Sequence, residues 1–74
     1  MREVYRATIL GDSPAWARGA RDCLRRHLGR VGLEARVTAV GPDVRVYVRG
    51  RRGMPGAWQN AQDATRRAEK ACGI

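Results

Sequence analysis

The sequence predicts a small α+β domain with the element order β-α-β-β-α, and three observations carry that expectation. Apolar residues alternate at every second position in three segments. They recur at spacings of three and four in two others, and clusters of Gly and Pro separate the segments.

Residues 2–10 read as a half-buried strand, because Tyr5, Ala7 and Ile9 share one face while Arg6 and Thr8 share the other. Gly11-Asp12-Ser13-Pro14 then starts a helix. Asp12 or Ser13 offers a capping oxygen, and Pro14 suits the first turn, where its missing N–H costs nothing. Trp16, Ala20, Cys23, Leu24, His27, Leu28 and Val31 fall in one stripe of that helix, with Arg18, Arg21, Asp22 and Arg25 opposite. Gly32 is the expected stop.

Leu33–Val40 and Val44–Arg49 flank Gly41-Pro42-Asp43 and form a hairpin. Val44, Val46 and Val48 point toward the core, and Arg45, Tyr47 and Arg49 away from it. In the partner strand Leu33, Ala35, Val37 and Ala39 point inward, leaving Arg36 and Thr38 outside. Residues 50–56 form a loop. Residues 57–72 form a second helix with Ala57, Ala61, Ala64, Ala68, Ala71 and Cys72 on its inner stripe. A right-handed crossover puts both helices on one face of a three-stranded antiparallel or mixed sheet, with the third strand between the first two. Such a fold is a ferredoxin-like plait lacking its last strand, and at 74 residues the chain holds one domain, 1–74.

Charge dominates the rest. Fifteen basic residues, fourteen of them Arg, face seven acidic ones, for a net charge of +8. A field of that sign concentrates polyanions near the surface. The uncovered sheet face gathers Arg6, Arg36, Arg45 and Arg49 around Tyr47, and the next loop adds Arg51 and Arg52 between glycines. Guanidinium groups around an aromatic ring suit single-stranded RNA or DNA, whose bases stack while its phosphates meet the charges. The sequence therefore points to a basic nucleic-acid-binding protein, with these seven residues as its contacts. The alternative is an interaction or oligomerisation module for an acidic protein partner. An unpaired first-strand edge supports a homodimer in either case.

Enzymatic chemistry has no candidate, because the acids are scattered and no catalytic set stands out. No cofactor, metal or small-molecule substrate is expected. Cys23 and Cys72 with the lone His27 are too few for a closed zinc site, and both thiols read as buried and reduced in a cytoplasmic protein. No segment is apolar for long enough to predict a membrane span.

Overall fold

The computed structural model describes residues 2–50 and 56–74. The elements are β1 (Arg2–Ile9), α1 (Pro14–Arg30), β2 (Glu34–Val40), β3 (Asp43–Gly50) and α2 (Ala57–Ala71). The three strands form one sheet in the order β1-β3-β2, antiparallel at both junctions. β1 and β2 are therefore parallel to each other on either side of β3, joined through α1.

Each boundary has a local cause. Ser13, not Asp12, caps α1: its hydroxyl accepts from the Trp16 amide at 3.1 Å, with Pro14 in the first turn. The helix closes at Val31, followed by Gly32. Val40 pairs with Asp43, so the hairpin turns on Gly41 and Pro42 alone. Gly41 has φ of 60° and proline holds φ near −65°, the combination of a tight type II′ turn. Gly11 links β1 to α1 where nothing larger fits, since a Cβ there would overlap both the Pro42 carbonyl and the Trp16 ring. Its amide donates to Asp43 Oδ1 at 3.1 Å, tying the end of β1 to the start of β3.

The core lies between the helices and one sheet face. Val44, Val46 and Val48 are buried from β3 and Val37 from β2, against Ala17, Ala20, Leu24 and Leu28 of α1 and Ala61 and Ala68 of α2. Burying a Leu or Val side chain contributes about 1.5–3 kcal/mol, so this short list supplies much of the driving force. Small residues on α2 let its backbone approach closely. Thr65 sits at the middle of that stripe, buried, its hydroxyl donating to the Ala61 carbonyl at 2.8 Å. Ala71 and Val31, read as inward from their spacing, are exposed because both helices end beside them.

One sequence expectation is corrected here. Cys23 and Cys72 do not remain separate thiols. They are joined in a disulfide that ties the middle of α1 to the C-terminal cap of α2, with Cα atoms 6.0 Å apart. The two inward stripes bring the cysteines together, and the rest is the chemistry of sulfur at that distance. Among the described residues, no helix is long and apolar enough to cross a membrane.

Candidate nucleic-acid interface

The sheet has a second face, which the helices leave open, and strand register sets its side chains in three cross-strand rows. Arg6, Tyr47 and Arg36 make the central row. Thr8, Arg45 and Thr38 flank it on one side, and Glu3, Arg49 and Glu34 on the other. All four arginines are exposed and Tyr47 is half-buried. Glu3, Glu34, Arg36, Tyr47 and Arg49 line an open cleft of about 780 Å³.

Arg6, Arg36, Arg45, Tyr47 and Arg49 are thus brought together on one surface, in the orientation expected from alternation. Arg51 and Arg52 lie outside the described residues. β3 ends at Gly50, and the first turn of α2 follows Gly56 with no side-chain cap among the described residues.

Two acids complete the surface, and the expected site contained neither. Glu34 follows directly from alternation, two residues before Arg36. Glu3 does not. Strict alternation places Glu3 with Tyr5, Ala7 and Ile9 on the covered face. An irregularity in the β1–β3 register between Glu3 and Tyr5 inserts one extra residue and turns Glu3 outward.

That bulge has a chemical consequence. Glu3 and Arg6, three positions apart, now share a face and form a two-pronged pair, Nη2 to Oε2 at 3.1 Å and Nε to Oε1 at 3.3 Å. The hydrogen bond, and then the charge, of Glu3 raises the Arg6 pKa, leaving the guanidinium fully cationic. Held in this way, the Arg6 guanidinium lies over the Tyr47 ring, its carbon 5.4 Å from the ring centre. Arg6 therefore already occupies one place where a base could stack on Tyr47.

Two arginines of α1 do other things. Arg25 donates from Nε to the Val37 carbonyl at 3.1 Å, covering an acceptor on β2, an outer strand. Arg21 pairs with its neighbour Asp22 at 3.0 Å, in place of the helical pairs to Arg25 or Arg26 that spacing suggests. That bond from Arg21 holds the Asp22 carboxyl below the usual carboxylate range. On the helix side, Trp58 is exposed and meets the half-buried Tyr5 edge-on, with ring centres 6.1 Å apart.

No protein-family model, no curated protein and no solved structure matches this chain.

Proposed function

We propose that the open sheet face binds nucleic acid, single strands above all. The observation that carries this reading is the central row, a tyrosine between two arginines with a third and a fourth arginine on either side along β3. The spacing gives the surface its use. Residues two apart on a strand lie about 7 Å apart, close to the repeat of a stretched single strand, so Arg45 and Arg49, four apart and about 13 Å from each other, can meet phosphates two steps apart with Tyr47 level with the nucleotide between them. A base stacks on the outer side of Arg6, extending the pair already formed with Tyr47, or takes its place on the ring. The two carboxylates offset half of the four guanidinium charges, so Arg51 and Arg52 are needed to make the region strongly basic. Contacts are chiefly to phosphate, with no enzymatic step and no cofactor. In this reading the protein works in the cytoplasm, a reducing compartment in which the Cys23–Cys72 bridge opens to two thiols.

Binding of labelled single- and double-stranded oligonucleotides across a salt series tests the proposal. The expected result is tighter binding of single strands, weakening steeply between 50 and 200 mM salt as counterions return to the phosphates. Arg45→Ala flattens the salt slope by about one unit. Absence of binding by the wild type at 50 mM salt overturns the reading.

A second reading rests on a different feature. β1 is an outer strand, and Arg25 covers part of the opposite edge, on β2, but not this one. A second copy pairing along β1 satisfies its free backbone groups and covers the exposed Leu10 at its end. Light scattering at high micromolar concentration separates dimer from monomer. An acidic protein partner in place of nucleic acid shows as salt-sensitive association with acidic polypeptides and none with oligonucleotides.

A further inference from the structure

The face that the helices cover holds a second cluster, which nucleic-acid binding does not use. Cys23 and His27 stand one turn apart on α1, so their side chains are neighbours. Cys72 reaches the same point from the end of α2. The two sulfurs and a ring nitrogen of His27 all lie within 4.8 Å of one another, and all three residues are half-buried. Among the described residues, no fourth histidine, cysteine or carboxylate joins them.

We propose that Cys23, His27 and Cys72 form a redox-gated site for a thiophilic divalent cation of the zinc class. With the bridge reduced, two thiolates and one imidazole hold the metal. With the bridge closed, both sulfur ligands are withdrawn and the site is shut.

The geometry supports the open state as well as the closed one. Two sulfurs bound to one tetrahedral zinc, each about 2.3 Å from it, are roughly 3.8 Å apart. Cα atoms 6.0 Å apart permit that separation by rotation of the two side chains, without movement of either helix. A ring nitrogen and a sulfur on one tetrahedral zinc are roughly 3.6 Å apart, so from within 4.8 Å the imidazole needs to approach by no more than about an ångström. A bridge alone has no use for His27, whereas a metal site does. Two thiolates and a neutral imidazole balance the charge of a dication, so the site adds nothing to a chain that already carries +8. Three protein ligands leave the fourth position for water, an arrangement typical of exchangeable and reactive zinc rather than closed structural sites.

The gating step is thiol–disulfide exchange with a small thiol reductant. A reductant thiolate attacks one sulfur of the bridge, the S–S bond breaks, and the other sulfur leaves as a thiolate. A second reductant molecule then attacks the mixed disulfide and releases the remaining cysteine. The net change is one protein disulfide and two reductant thiols converted to two protein thiols and one reductant disulfide. Zinc binding to the two thiols then displaces two protons.

The test is a zinc titration of the full chain, oxidised and phosphine-reduced, against a chromophoric chelator, with Co²⁺ as a spectroscopic substitute. The reduced chain is expected to take up one Zn²⁺ with release of two protons. Its Co²⁺ form is expected to show a thiolate charge-transfer band. The oxidised chain should bind roughly a hundredfold more weakly or not at all, because it lacks thiolate ligands. His27→Ala should weaken zinc binding roughly 10–100-fold at unchanged helical content, at least what loss of a supporting residue costs. If reduction unfolds the chain, recovery of helical circular dichroism at one equivalent of Zn²⁺ supports the proposal, and failure to recover overturns it. Equal zinc binding by the oxidised and reduced chains, or by His27→Ala and wild type, also overturns it. None of these readouts involves nucleic acid.

Discussion

The two faces of the sheet are built from the same strands, yet they are held by different physics. On the covered face, Val37, Val44, Val46 and Val48 are fixed by burial against α1 and α2, so each position is specified by volume. On the open face, Arg6, Arg36, Arg45, Tyr47 and Arg49 are placed by register, and only Arg6 is further restrained, by Glu3 and Tyr47. The covered face sets stability and the open face is free to be chosen for binding. Substitutions should therefore separate cleanly, with stability lost on one side and affinity on the other.

The largest expected effect comes from the tie between the helices. The Cys23–Cys72 bridge spans 49 residues, and a loop of that length contributes about 4 kcal/mol by restricting the unfolded chain. A domain of this size has roughly 4–11 kcal/mol in all. Reduction in the presence of a chelator should lower the melting temperature by roughly 15–30 °C. Zinc in place of the chelator should restore part of that loss if the reduced site binds metal. A change of only a few degrees without metal would show that the apolar core holds the helices together without the bridge.

Next comes the core itself. Leu24→Ala, at a fully buried position in the core cluster, should cost about 3 kcal/mol through lost burial and the cavity left behind. Arg45→Ala, on the same sheet but facing out, should change stability by less than about 0.5 kcal/mol. Chemical denaturation of both variants checks the pair. Comparable losses would mean that the open face also bears load and that the separation of roles is wrong.

How much of this contrast can be read from the sequence follows from the same physics. Period-two and period-3.6 apolar patterns report burial, so all five elements and the inward valines are visible without coordinates. The three-stranded order follows from a right-handed crossover. What the pattern cannot report is an event with no apolar signature. The bulge after Glu3 turns Glu3 outward and lets Val4 pack against the core, and it leaves the spacing of Tyr5, Ala7 and Ile9 intact. Glu34 lay within reach of alternation, but a surface read for its cations passes over it. Helical spacing places both thiols on the inward stripes, but facing stripes do not say whether two sulfurs meet at bonding distance.

On the binding side, Tyr47→Ala should weaken single-strand affinity by about 1 kcal/mol, at the low end of the range for a stacked base. Arg6 already shares the ring, so a base gains less there than on an open aromatic. The loss should be the same at every salt concentration, because stacking is not ionic. A loss near 3 kcal/mol would mean that Arg6 leaves the ring when a strand binds.

The smallest effect should come from Glu3→Gln, and it discriminates most finely. Glu3 holds Arg6 over Tyr47 and places a negative charge at the rim of the surface proposed to meet phosphates. Both residues lie on the exposed surface, so the pair adds little to folding and the variant should melt with the wild type. Removing the charge should raise oligonucleotide affinity roughly two- to fivefold at 50 mM salt, and the gain should shrink as salt screens it. The amide can still accept a hydrogen bond from Arg6, so Glu3→Ala separates charge from positioning. Equal gains from both variants mean that Glu3 acts only by repelling phosphate. A gain from Gln and a loss from Ala mean that Arg6 must be held in place to receive a base. No change in either variant, with wild-type binding intact, moves the contact surface away from the β1 side of the sheet, toward Arg36 and Arg45.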